Sequence, residues 1–252
     1  MRAIYTAAIL LLSLKGFSKG IRLITSEPLN STGQELAVKG RMGILIKQKL
    51  SFGDFHTVSV KRSAIQKWTG YTGMPGFIWT EHIEGKQSIK FKLTNGEDTS
   101  EAIAISRIDN TDLAFGTTNP NGPVSSIFRV GTRDQSNNYS VAIYLNKTET
   151  PWELFLDNNE AHMSRQSYTG YVRRDEVYYT IVPIWTIERK GKIFNLPFGV
   201  AGFEIRNDED KALAAVSLID NGVVYLGQLK EQEKLLMANV CAALFLQTNI
   251  AE

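Results

Sequence analysis

Three histidines and one cysteine are all the imidazole and thiol groups in the 252 residues. Their neighbours decide what each can do. His82 stands in "WTEHIEG", two residues before Glu84. On a strand that spacing puts both side chains on one face. An imidazole beside a carboxylate is half of a metal site or a base with its orienting acid. A metal needs a third and a fourth ligand, which the sequence does not place. His56 in "GDFHTV" has Asp54 two residues away, and His162 in "LDNNEAHMSR" follows Asp157 and Glu160. Both read as loop or strand-end neighbourhoods. Cys241 lies inside a long apolar run and reads as a packing residue. The chain holds no G-x-S-x-G elbow, phosphate loop, H-E-x-x-H or calcium-loop spacing. The sequence therefore names no catalytic residue, no metal ligand set and no cofactor. The acidic stretches "RIDNTD" at 107–112 and "RNDEDK" at 206–211 read as hairpin tips.

The richest surface chemistry is basic and aromatic. "YTGYVRRDEVYY" places Arg173 and Arg174 among Tyr168, Tyr171, Tyr178 and Tyr179, and Arg189, Lys190 and Lys192 follow at the next turn. Lys86, Lys90 and Lys92 occupy comparable positions earlier in the chain. Tyr168, Tyr171, Arg173, Arg174, Arg189 and Lys190 are the candidate ligand-binding residues. Such a set suits an anionic lipid head group, a sugar or the acidic loop of a partner.

The elements that must carry these residues are mostly strands. In "SIKFKL", Ile89, Phe91 and Leu93 alternate with lysines, the period of a strand with one wet face. The same alternation recurs at Met42-x-Ile44-x-Ile46, Val58-x-Val60 and Trp152-x-Leu154-x-Leu156. "VYYTIVPIWTIE" at 177–188 is rich in β-branched and aromatic residues, with Pro183 predicting an edge or a bulge. Asn95-Gly96, residues 117–123, Asp157-Asn158-Asn159 and Asn221-Gly222 mark turns. No helical crossovers separate the strands, so the sheet is expected to be antiparallel.

Three segments echo one another in order. "WTGY" at 68–71 returns as "YTGY" at 168–171, and "IWTEHIEGKQSIKFKL" at 78–93 as "IWTIERKGKIFNL" at 184–196. "EAIAISRIDNTDLAFG" at 101–116 returns as "KALAAVSLIDNGVVYLG" at 211–227. The shared order points to an internal duplication, with a first β repeat over 21–123 and a second over 124–252 in one body. The fold expected is mainly β: a duplicated antiparallel sheet or barrel of about ten to twelve strands around a buried C-terminal helix.

That helix is "KEQEKLLMANVCAALFLQ" at 230–247. Glu231 and Glu233 suit its first turn, and residues 235–246 are apolar except for Asn239. A helix apolar on every face is buried on every face. Twelve residues rise about 18 Å, too short to span a bilayer. The alternatives are a helix covered by a sheet and a dimer partner, or a barrel wrapped around it. Residues 200–247, with "A-x-V" on a strand, a turn, a short strand and a terminal apolar helix, resemble the end of tubby-like barrels, the group of the phospholipid scramblases and LURP-one-related proteins. That resemblance implies about twelve strands enclosing a C-terminal helix, and a lipid-binding barrel. The same residues also resemble the ends of uncharacterised exported proteins of Bacteroidetes-type bacteria.

The N-terminus sets the compartment expected. Arg2, a mostly apolar stretch over 3–14 and small residues at Gly16, Ser18 and Gly20 read as a signal peptide over 1–20. Those residues hold three of the 28 basic side chains and none of the 26 acidic ones, leaving 25 against 26. A nearly neutral domain is not a nucleic-acid binder. One cysteine allows no internal disulfide, which favours a bacterial periplasmic or secreted protein. The expected role is exported, non-enzymatic binding or scaffolding at the cell envelope. The partner is a small molecule, a lipid or an envelope protein, and the mature chain has no transmembrane span. An envelope-acting hydrolase is the alternative.

Overall fold

A computed structural model describes residues 21–41, 48–74, 78–115, 128–163, 168–197, 199–248 and 250. The expected signal peptide, the alternation at 42–46 and the turn at 117–123 lie outside these residues. The chain begins with β1 (Ile21–Leu23), a short α1 (Leu29–Thr32), β2 (Gln34–Ala37), β3 (Ser51–Phe52), β4 (Phe55–Arg62) and β5 (Gln66–Met74). Three long strands follow: β6 (Ile78–Thr94), β7 (Thr99–Phe115) and β8 (Phe128–Leu145). After β9 (Trp152–Asp157) and α2 (Asn158–Met163) come β10 (Gly170–Arg174), β11 (Val177–Ile184), β12 (Thr186–Arg189) and β13 (Lys192–Asn195). The last elements are β14 (Gly202–Arg206), β15 (Ala212–Ser217), β16 (Val223–Leu226) and α3 (Glu231–Leu246).

Twelve strands form one antiparallel path in the order β2-β16-β15-β14-β11-β10-β9-β8-β7-β6-β4-β3. A reciprocal pair of backbone hydrogen bonds, 2.9 and 3.0 Å, joins Lys39, just past β2, to Ser51 of β3. This bridge links the two ends of the path, so the sheet is nearly closed on itself. Strands β1, β12 and β13 form a separate three-stranded sheet.

The closed path is what the terminal helix demands. From Leu235 to Leu246 every residue of α3 is buried. The helix packs on β15 and β16 and also on β7 and β8, which lie on opposite sides of the circuit. Its single polar member is satisfied inside: Ser100 Oγ donates to Asn239 Oδ1 at 2.6 Å, and Asn239 Nδ2 donates to the Leu235 carbonyl at 2.8 Å. Tyr139, fully buried, donates its hydroxyl to the Ala243 carbonyl at 2.8 Å. Burial holds this phenol above its ordinary pKa and pushes the Cys241 thiol up to about 12. The thiol therefore stays protonated and packs, as its sequence context predicts. No helix among the described residues is long and apolar enough to cross a membrane.

Local sequence explains the neighbouring elements. β15 is buried on both faces, which is why "ALAAVS" reads as an unbroken small and apolar run. Ala214 and Val216 belong to the core around α3, and Ala212 and Ala215 to a second cluster with Leu23, Leu29 and Ile187. Gly202 sits where a Cβ would lie 2.0 Å from the Val216 carbonyl oxygen, so β14 and β15 approach only with glycine there. Pro183 lies beyond the start of β10, and its missing N–H costs no ladder bond. The Asn95-Gly96 turn forms as expected, with Gly96 at φ 101° and Asn95 Oδ1 accepting from the amides of Glu97 and Asp98.

One reading is corrected. "RIDNTD" is no hairpin tip: residues 107–112 run through β7, paired with β6 on one side and β8 on the other. Polar side chains suit this stretch because its outer face is wet, and a register shift between Asn110 and Asp112 absorbs the irregularity. "RNDEDK" does form the turn between β14 and β15. The echoed segments take different forms. Residues 78–93 lie in one strand, whereas 184–196 span the end of β11 and the β12–β13 hairpin.

Replacing Leu236 or Leu244 by Ala removes side chains that are 1 % and 3 % exposed. Each should lower unfolding stability by about 2–5 kcal/mol in denaturant titrations. A loss well under 1 kcal/mol at both would contradict the enclosed helix.

Candidate functional site

The predicted basic and aromatic residues divide between two places. Tyr171 and Arg173 project from the outer face of β10, opposite Phe155 and Glu153 on β9 and Thr180 and Tyr178 on β11. Tyr171 stacks on Phe155 and on Tyr178, with ring centroids 5.6 and 5.8 Å apart. Tyr168 joins this group, close enough to help raise the Tyr178 pKa, although burial is the larger cause. Arg173 Nε donates to Glu153 Oε2 at 2.9 Å, and its guanidinium lies 5.2 Å from the Tyr171 ring centre. Arg174 turns the other way and covers Trp152 at 4.5 Å. Both arginines border a shallow notch of about 280 Å³ with Thr150, Pro151 and Asp175. Arg189 and Lys190 are elsewhere, at the β12–β13 turn of the three-stranded sheet. They follow the end of β11 remote from Tyr178, and that strand alone spans roughly 25 Å. Lys90 and Lys92 are likewise committed, both paired with Glu101 across the strands.

The ladder of Phe155, Tyr171 and Tyr178 is an aromatic surface open to solvent, with Tyr168 53 % and Tyr171 60 % exposed. Its stacking is ordinary cross-strand pairing, and the same rings offer a flat face to a ligand.

A second site was not legible in the sequence. Where α3 ends, the mouth of the sheet holds a cavity of about 390 Å³. Val200, Phe203, Leu218, Leu244 and Phe245 give it apolar walls. Arg41, Asn137, Asn158, Gln247 and Thr248 give it a polar rim. Gln247 Nε2 donates to Asn158 Oδ1 at 2.8 Å, and Asn158 Nδ2 donates to Asn137 Oδ1 at 3.1 Å. Arg41 Nη1 donates to the carbonyls of Leu218 and Asp220 at 2.7 and 3.1 Å. Its guanidinium lies 5.2 Å from the Phe245 ring centre, and burial lowers its pKa. These ten residues come from six segments spread over more than 200 positions, so no local motif announces them. Their types include no carboxylate, imidazole or thiol. Among the described residues the cavity therefore offers binding groups and one positive charge, and no general base.

The histidines fall apart in space. His56 is exposed on β4 and His162 belongs to α2. His82 is on the outer face of β6 with Glu84, as the spacing predicts, and Nε2 lies 3.3 Å from Glu84 Oε1. Comparison with protein-family models, with curated proteins and with solved structures finds no match.

Beside the aromatic face, buried Tyr179 lies near Glu233 of α3, and its pKa is pushed up to about 12 by burial first and by that carboxylate second. The unfolded phenol titrates near 10. A raised folded pKa stabilises the protein fully below about pH 10, and that contribution is lost as pH climbs through 12. Urea unfolding between about pH 9 and 12 should show wild type losing stability relative to Tyr179→Phe across that window. A constant difference would refute the shift.

Proposed function

We propose that this is an exported, non-enzymatic binding protein of the cell envelope, and that the mouth cavity holds its ligand. The cavity carries the reading. At about 390 Å³ it falls within the range of small-molecule pockets, and it combines apolar walls with a few convergent polar groups. One guanidinium beside an apolar wall suits a small amphiphile with an anionic head and a hydrocarbon body. A twelve-strand circuit around an apolar helix agrees with the lipid-binding barrel that the tubby-like resemblance implies. Export rests on the N-terminal sequence, and duplication rests on the three ordered echoes. The stacked outer aromatics favour a second reading, a glycan or flat partner surface held on Tyr171 and Tyr178.

Native mass spectrometry of protein from its own source, before and after organic extraction, tests the first reading. A bound amphiphile removed by extraction is expected. Arg41→Gln should reduce occupancy at least about tenfold through loss of the charged hydrogen bonds. Val200→Trp should exclude the ligand by filling the cavity while the protein stays folded by circular dichroism. Bare protein from the native source, with no uptake of added fatty acid or lysolipid, would overturn the reading. Glycan binding lost in Tyr171→Ala would then favour the aromatic face.

A further inference from the structure

Three side chains of metal-liganding type meet on the outer face of β6 and β7, where β6 continues past β4 and pairs instead with β5. β4 pairs with β6 over Ile89–Thr94, and β5 takes over at Ile78–Lys86. In this extension His82 and Glu84 share a face of β6, and Asp109 stands opposite Glu84 on β7. His82 Nε2 lies 3.3 Å from Glu84 Oε1 and 3.7 Å from Asp109 Oδ1. One ligand atom from each of the three lies within 4.8 Å of the others. Asp109 is the third ligand that the sequence could not place, because its stretch reads as a turn.

We propose that His82, Glu84 and Asp109 bind a divalent first-row transition metal, zinc foremost. Tetrahedral zinc bonds of about 2.0–2.1 Å put neighbouring ligand atoms about 3.3 Å apart. The separations to Nε2 are already near that value, and side-chain rotation at a half-exposed site closes the rest. The imidazole is also oriented from outside the triad. Its Nδ1 lies 2.9 Å from Thr111 Oγ1, directly across on β7, and the Trp68 ring of β5 packs edge-on at 5.7 Å. A hydroxyl partner at Nδ1 fixes the ring so that Nε2 faces both carboxylates, the support that metal-bound histidines ordinarily have. A mixed nitrogen and oxygen set favours zinc over magnesium or calcium, which prefer oxygen alone. The three side chains are 34 %, 55 % and 38 % exposed, so an ion enters directly from solvent. Three protein ligands leave a fourth position for water or for an oxygen of a bound partner. The ligands stand on strands already paired, so binding needs no refolding.

Isothermal titration of the full chain with zinc chloride, after chelator treatment and at neutral pH, tests the site. One zinc per chain is expected, with no comparable uptake of magnesium. His82→Gln and Asp109→Asn should each weaken binding at least about tenfold. Cobalt should give the intense visible bands of a four-coordinate ion, lost in His82→Gln. A His56→Gln, His162→Gln double variant should bind like wild type. No saturable uptake at millimolar zinc, or unchanged binding in His82→Gln, would overturn the proposal. So would loss of binding in the double variant while His82→Gln retains it. Circular dichroism confirms that the exposed substitutions leave the fold intact.

Discussion

A helix that has no face for water constrains everything else in this protein. Leu235 to Leu246 must be covered on all sides, and a flat sheet covers only one. Packing on β7 and β8 from one side and on β15 and β16 from the other meets the demand within a single chain. The sheet then has to curve round until its ends meet, and the Lys39–Ser51 bridge is where they do. Polar groups inside the circuit cannot be left unpaired, which is why Asn239 finds Ser100 and Tyr139 finds the Ala243 carbonyl. The last fixes the helix lengthwise as well as filling space.

Enclosure also determines where binding chemistry has room. The helix fills the interior along its length, and a cavity lies where it stops, near Leu244 to Gln247. Its final carbonyls and the strand ends leave polar groups at that mouth, and the rim amides and Arg41 gather there. The apolar walls are the exposed margin of the same core. A site with a greasy floor and a polar rim is thus a by-product of ending a buried helix inside a barrel.

The outer faces follow a different logic. Over residues 89–93 of β6 the inward residues are apolar and the outward ones are lysines, and these outward charges are settled by neighbours across the strands. Glu101 takes both Lys90 and Lys92, and Glu153 takes Arg173. Exposed pairs of this kind contribute little stability each. His82, Glu84 and Asp109 differ in kind, because two carboxylates converge on one imidazole nitrogen.

What was legible in the sequence was periodic or local. Alternation gave the strands at 89–93 and 152–156, Asn-Gly marked a turn at 95–96, and the all-round apolar run from 235 announced a buried helix. These follow from backbone geometry and burial, which act over a few residues. His82 with Glu84 was legible for the same reason, since strand period two puts both on one face. The long-range facts were not. "RIDNTD" has turn composition, and only pairing on both sides by β6 and β8 makes it a strand and brings Asp109 to Glu84. Arg189 and Lys190 are close to Arg173 in sequence, yet β11 carries the chain away to another sheet. Arg41, Asn137, Asn158 and Phe245 share a cavity across 200 residues because closure of the sheet brings their segments to one mouth. Sequence alone fixed which residues alternate and which must be dry; tertiary structure decided which of them meet, because register and closure are set by the summed pairing of all twelve strands around one helix.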